Sequence, residues 1–239
     1  MCATCGCAAT GVRVSGPGHD HGHAPTRTVD LEADLLASND ALAARNRDAF
    51  AAAGIVALNL MSSPGSGKTT LLERTARDLS AHRPIAVLEG DQETHLDAER
   101  IRATGVRAVQ INTGAGCHLD AAMVAAGVRA LDPEPGTLLF VENVGNLVCP
   151  ALFDLGERAR VVIMSVTEGA DKPLKYPHMF RTADLMLINK IDLLPYVDFD
   201  VPTCVEYARR ARPGMAVIEI SATKGDGLDD WYAWLRRLA

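Results

Sequence analysis

Ser62-Ser63-Pro64-Gly65-Ser66-Gly67-Lys68-Thr69-Thr70 is the stretch of this chain whose residue types and order most directly suggest chemistry. Small residues opening a helix turn several backbone N–H groups onto one point, where the helix dipole also favours negative charge. Gly65, Ser66, Gly67 and Thr70 suit that cradle, Lys68 has the reach for the β- and γ-phosphates of a nucleotide, and the Thr69 hydroxyl suits Mg2+. The pattern G-x-x-x-x-G-K-T begins here with Ser62 in place of glycine.

Asn189-Lys190-Ile191-Asp192 follows the apolar run Leu185 to Ile188, on the edge where open α/β sheets bind ligands. A carboxylate there accepts two hydrogen bonds from the N1 and N2 donors of guanine, whereas adenine would leave it desolvated and unpaired. Asp192 is therefore the expected specificity residue. Lys190 can lay its stem along the base, and Asn189 can tie this loop to the phosphate loop. The later loop Ser221-Ala222-Thr223-Lys224 suits a contact to the guanine carbonyl. The expected ligand is GTP.

Phosphoryl transfer depends mostly on positioning and charge neutralisation, so acids at other strand ends are candidates to hold Mg2+ or its waters. Asp91 and Glu142 close two predicted strands, and Gly145 would let a backbone N–H approach the γ-phosphate. The pattern Asp-x-x-Gly common at this point in GTPases is here Glu142-Asn143-Val144-Gly145. No Gln or Arg identifies itself as the residue orienting the attacking water, so slow intrinsic hydrolysis is expected.

The thiols form a second chemistry. Cys2, Cys5 and Cys7 crowd the start of the chain, three soft ligands with Gly6 to let the backbone fold back around one nickel, zinc or copper(I) ion. Removal of Met1 would free the amine of Cys2 as a fourth ligand for planar Ni2+. Cys117-His118 follows the loop Thr113-Gly114-Ala115-Gly116, and Cys149 lies a few residues beyond Gly145. A metal shared by Cys117, His118 and Cys149 would be coupled to the nucleotide, although spacing alone does not prove that they converge. His19, His21 and His23 form a weak metal store or a solvated spacer. Cys204 reads as core, and Trp231 and Trp234 as the face that docks the last helix.

These groups need a scaffold. Residues 1 to 29 carry almost no large apolar side chains and read as a flexible metal-binding tail. Residues 30 to 239 read as one nucleotide-binding domain entered by a helix from Leu31 to Ala53. After Gly54 short apolar runs alternate with amphipathic helices: Ile55 to Met61, Ile85 to Leu88, Ala108 to Ile111, Thr137 to Val141, Val161 to Val166, Leu185 to Ile188 and Ala216 to Ile220. After the first run comes a helix expected over Leu71 to Leu79. Runs apolar on both faces predict an α/β fold with a mostly parallel sheet covered by helices on both sides. The chain of 239 residues holds 24 basic and 30 acidic residues, a formal charge of -6, which argues against a nucleic-acid footprint. No apolar run approaches a membrane span and no signal-peptide pattern opens the chain, so a cytoplasmic location is expected. In that reducing compartment six clustered and scattered cysteines favour metal binding over disulfides.

From Cys2 to its end the sequence resembles the HypB family of hydrogenase nickel-incorporation GTPases. The stretches that carry the likeness are Met1-Cys-Ala-Thr-Cys-Gly-Cys7, Ser62 to Thr70, Glu89-Gly-Asp-Gln-Glu-Thr94, Asp97-Ala-Glu-Arg-Ile-Arg102, Cys117-His118-Leu119-Asp120, Glu142-Asn-Val-Gly-Asn-Leu147 and Asp171-Lys-Pro-Leu-Lys-Tyr-Pro177. The resemblance implies a P-loop NTPase of the SIMIBI type that hydrolyses GTP and delivers nickel to [NiFe]-hydrogenase. It implies a tight nickel site at Cys2, Cys5 and Cys7 and a second nickel or zinc site at Cys117, His118 and Cys149. A homodimer promoted by GTP, a HypA-type maturation protein and the hydrogenase large subunit are the implied partners. A urease-type nickel GTPase, with a Cys-Pro-His motif and no N-terminal cysteine cluster, is the nearest alternative. A nickel-sequestering protein with a vestigial nucleotide site is the other.

Overall fold

A computed structural model describes residues 26–91, 96–114 and 116–238. Seven strands, β1 Val56–Ser62, β2 Ile85–Asp91, β3 Arg107–Asn112, β4 Leu138–Glu142, β5 Ala159–Ser165, β6 Leu185–Asn189 and β7 Ala216–Glu219, coincide with the seven predicted runs to within a few residues. They form one sheet in the order β3-β2-β4-β1-β5-β6-β7, and every neighbouring pair is parallel. The expectation of a mostly parallel sheet is thus met in full.

Among the described residues eight helices precede, link or follow the strands: α1 Thr26–Ala53, α2 Lys68–Leu79, α3 Leu96–Arg102, α4 Ala121–Leu131, α5 Lys172–Lys175, α6 Pro177–Thr182, α7 Val201–Ala211 and α8 Leu228–Leu238. Two 3₁₀ turns lie in the connections, Cys149–Ala151 between β4 and β5 and Ile191–Tyr196 between β6 and α7. Two helix starts differ from the sequence reading. The helix after the phosphate loop begins at Lys68 rather than Leu71, because its first turn is polar and carries no apolar period to read. The first helix begins at Thr26 rather than Leu31, so the last residues of the expected tail belong to α1. Cys2, Cys5, Cys7, His19, His21 and His23 lie outside the described residues.

Alternation along each strand divides the core between the two faces. On β1, Leu58 and Leu60 join Leu71, Leu72, Ile101, Phe140, Trp231 and Leu235, the layer under α2, α3 and α8. Ala57 faces the opposite way and packs with Phe50 of α1 and Val124 of α4. Further along that second face, Phe180 of α6 and Cys204 of α7 pack with the strand residues Met61, Val162 and Ile188. Trp231 is fully buried as expected, and its indole N–H donates to Thr75 Oγ1 at 3.0 Å, so the polar end of the ring is satisfied where it docks α8 on α2.

Along α1 the buried positions Asn39, Ala43, Asn46 and Phe50 recur at helical spacing and make one stripe facing the domain. Two of those four are asparagines, and a buried amide must find partners. Theirs lie at the start of α4 and in the loop between β4 and β5.

Candidate functional site

The carboxyl ends of β2, β4 and β1 open into a cleft of about 490 Å³ lined by the phosphate-loop residues Pro64, Gly65, Gly67, Lys68, Thr69 and Thr70 together with Glu89, Asp91, Glu142 and Gly145. Gly67 caps α2 with φ +98, a left-handed conformation that favours glycine, and a Cβ there would come within 2.5 Å of Asn189 Nδ2. The loop backbone therefore runs close under the Asn189 side chain. Gly145 abuts Pro64 on the cleft wall, where a Cβ would meet the proline at 3.0 Å.

Ser62, the departure from the glycine pattern, has a role of its own: Lys68 Nζ donates to its Oγ at 2.8 Å. Burial lowers the lysine's pKa, opposed by nearby carboxylates with Glu142 foremost. Thr69 Oγ1 donates to Glu142 Oε1 at 2.8 Å. Glu142 is paired across the sheet with Glu89, two acids side by side on neighbouring parallel strands. Both are buried, and Glu89 Oε2 and Glu142 Oε2 have no hydrogen-bond partner among the described residues. Burial pushes Glu142 above the ordinary carboxylate range, and burial followed by the charges of Glu142, Asp91 and Asp97 pushes Glu89 to about 8. Two orphaned carboxylate oxygens beside a threonine hydroxyl make a donor set for a hard divalent cation, whose charge would ionise both acids.

At the other end of the loop, Asn189 ties three segments together. Its Nδ2 donates to Ser66 O at 2.9 Å, and its Oδ1 accepts from Lys190 N at 2.8 Å and from Ala222 N at 3.1 Å. Lys190, at φ +65, reaches back to donate from Nζ to Gly65 O at 2.7 Å. Asp192 Oδ1 accepts from Ser221 Oγ at 2.6 Å, and Thr223 Oγ1 lies 3.3 Å from the same hydroxyl. Asp192, Ser221, Ala222 and Thr223 are thus gathered beside the phosphate loop, outside the lining of the main cleft.

Cys117, His118 and Cys149 converge, with one ligand atom from each lying within 4.8 Å of the others. The reason is strand order. β3 and β4 both pair with β2, so the loops that leave their carboxyl ends flank the same strand. His118 Nδ1 lies 3.8 Å from Cys117 Sγ, and the imidazole stacks on Phe153 with centroids 3.9 Å apart. Burial lowers the pKa of His118, with Asp120 opposing, which favours the neutral ring that a metal requires. Thiolate and imidazole donors suit zinc or nickel. Cys204 is fully buried and, among the described residues, no other cysteine or histidine is grouped with it, in keeping with a packing role.

Several residues went unnoticed in the sequence. In the sequence Glu89 is only the first residue of the stretch Glu89 to Thr94, and its pairing with Glu142 depends on strand order. Arg100 lines the cleft while bound to Glu73 Oε2 at 2.5 Å. Asn143 Oδ1 accepts from Leu119 N and Val144 N, each at 3.0 Å, and Asn146 Nδ2 donates to Cys117 O at 3.2 Å. The only advance signal for these asparagines was their place between Glu142 and Cys149.

The chain is similar to known proteins over most of its length. Residues 56–219 match the family described as CobW/HypB/UreG, nucleotide-binding domain. The hydrogenase maturation factor HypB of Azotobacter chroococcum is 59% identical over 93% of this chain and 74% of its own length, and that of Escherichia coli K12 is 57% identical over 91% and 75%. Among solved structures, HypB from Archaeoglobus fulgidus superposes with a TM-score of 0.79 at 43% identity, covering 85% of this chain and all of that one. HypB from Helicobacter pylori in complex with nickel gives 0.78 at 39% identity, covering 84% and 94%.

Proposed function

This chain belongs to the HypB family of hydrogenase maturation factors, and we propose that its GTP cycle acts on the metal held by Cys117, His118 and Cys149 through the loop that follows β4. It is a nickel-binding GTPase of hydrogenase maturation. GTP lies with its phosphates on Gly65 to Thr70 and its guanine on Asp192, steadied by Asn189 and Lys190 and flanked by Ser221, Ala222 and Thr223. Thr69 and Glu142 would hold Mg2+, with Glu89 beside them and Asp91 at the edge of the site. The ion supplies charge neutralisation of the phosphates, while Lys68 offsets charge on the β- and γ-oxygens.

One observation carries the coupling. Asn143, on the wall of the nucleotide cleft, accepts hydrogen bonds both from Val144 N in that wall and from Leu119 N, the residue after His118. A shift of Val144 and Gly145 toward a γ-phosphate would therefore be felt at His118 on one side and at Cys149, a few residues further along, on the other. Buried hydrogen-bonded segments have discrete arrangements, so a small displacement at the cleft becomes a change in ligand geometry. Nickel is the cargo of this second site, zinc a competing occupant, and hydrolysis returns the loop to the arrangement that releases metal.

The rest of the reading follows the family. Residues 1 to 29 act as a metal-binding tail through Cys2, Cys5 and Cys7, and residues 30 to 239 as the GTPase domain. GTP promotes a homodimer, which works with a HypA-type partner and the [NiFe]-hydrogenase large subunit in the cytoplasm. Among the described residues no helix is long and apolar enough to cross a membrane. The test measures nickel affinity of the full chain loaded with GDP and with a non-hydrolysable GTP analogue. The two affinities should differ in the wild type and converge in Asn143→Ala; equal wild-type values would refute the coupling. GTP turnover should be lost in Lys68→Ala.

A further inference from the structure

None of the described side chains of α1 joins the Cys117, His118 and Cys149 cluster or lines the nucleotide cleft, yet its two buried asparagines bond the start of α4, just after Cys117 and His118, and the loop that carries Cys149. Asn39 Oδ1 accepts from Ala121 N at 2.9 Å, shortly after His118, while its Nδ2 donates to Asp154 O at 2.8 Å, shortly after Cys149. About two turns along the same stripe, Asn46 Nδ2 donates to Ala121 O at 2.8 Å and to Leu155 O at 3.0 Å. Ala121 is therefore gripped at both its N–H and its carbonyl by one helix. That helix grips the second loop at two successive carbonyls. Between those carbonyls and Cys149 lies Phe153, whose ring stacks on His118.

We propose that Asn39 and Asn46 are positioning residues for the metal site, a two-point buckle by which α1 fixes the separation of the Cys117-His118 loop from the Cys149 loop and the orientation of the His118 ring. This rests on the reading of Cys117, His118 and Cys149 as a metal site. The chemistry favours asparagine at these positions. A carboxamide carries its donor and its acceptor on separate atoms of one short side chain, so Asn39 can hold the N–H of Ala121 at the start of α4 and a carbonyl of the Cys149 loop at once. A purely packing role would be met more cheaply by alanine or leucine, since a buried amide must recover the hydrogen bonds that it gives up in water. Close approach is also built into the partner loop: Gly156 has φ +87, and a Cβ on it would come 2.5 Å from Ala43 O, so glycine lets α1 sit directly on the segment it holds. Groups that orient ligands without touching the metal change affinity by roughly ten- to a hundred-fold when removed.

The test uses the full-length chain with Cys2→Ala, Cys5→Ala and Cys7→Ala, so that Ni2+ added alone titrates the second site. Asn39→Asp keeps the acceptor toward Ala121 N and loses the donor to Asp154 O, and Asn46→Ala loses both bonds of the second point. Ni2+ affinity and the position of the thiolate-to-nickel charge-transfer band are read alongside GDP affinity and the unfolding midpoint. The expected result is a fall of roughly ten-fold or more in Ni2+ affinity with a shifted band, while GDP affinity stays within about two-fold of the parent. Unchanged affinity and band in a folded variant would overturn the proposal. So would a parallel loss of nickel and GDP affinity, which would make α1 a general support of the domain. Failure of the parent with intact Asn39 and Asn46 to bind Ni2+ at all would instead remove the metal-site reading itself and this inference with it.

Discussion

Replacing Asn189 by alanine should separate the three loops that gather around the nucleotide base and phosphates. The amide is 1% exposed and makes three hydrogen bonds: to Ser66 O, from Lys190 N and from Ala222 N. A net contribution of about 1 kcal/mol for each, somewhat more for the Ser66 and Ala222 groups left buried without a partner, gives a loss of roughly 3 kcal/mol. For a chain of this size each kcal/mol moves the melting temperature by about 2–4 °C, so the expected fall is on the order of 6–12 °C. GTP would then have to reassemble the loops as it binds, weakening its affinity by about ten-fold or more. Asn189→Asp keeps both acceptor bonds and loses only the donor to Ser66 O, so its stability loss should be the smaller of the two. Urea unfolding with GTP titration calorimetry on both variants measures these effects. A stability loss under about 1 kcal/mol in the alanine variant, or GTP binding as tight as in the wild type, would refute the idea that this residue holds the site together.

Three other outcomes are expected. Glu89, pushed from its ordinary 4.5 to about 8, contributes stability that is full below the lower value and lost as pH rises through the higher one, so the nucleotide- and Mg2+-free chain should weaken between those values. Glu89→Gln should flatten that slope in urea unfolding at pH 5.5 and pH 8; an unaltered slope would count against it. Gly156→Ala should cost roughly 3 kcal/mol or more, because its φ of +87 is left-handed and its Cβ would strike Ala43 O, and thermal unfolding reads the loss. Asp192→Asn should lower GTP affinity by about a hundred-fold or more, and should favour xanthosine triphosphate, whose C2 oxygen accepts from the new amide; competition binding between the two nucleotides decides it.

Short-range signals fixed the seven strands and the groups at their ends. Period, turn chemistry and small residues before a helix depend on neighbours in the chain, so Ser62 to Thr70, Asn189 to Asp192 and the Cys117-His118 pair could be read from order alone. The helix starts at Thr26 and Lys68 escape the same reading, since polar first turns carry no apolar period. What the chain order could not state is which strand ends lie side by side. Insertion of β4 between β2 and β1 sets Glu89 against Glu142, and the pairing of β3 and β4 on either side of β2 brings Cys149 to Cys117 and His118. Likewise Asn39 and Asn46 read as ordinary polar positions on a surface helix until packing buried them against two distant loops. Sequence spells out the local conformations and the reactive groups because both are properties of contiguous residues; their convergence comes from long-range packing, where burial and the need to satisfy every enclosed polar atom choose the partners.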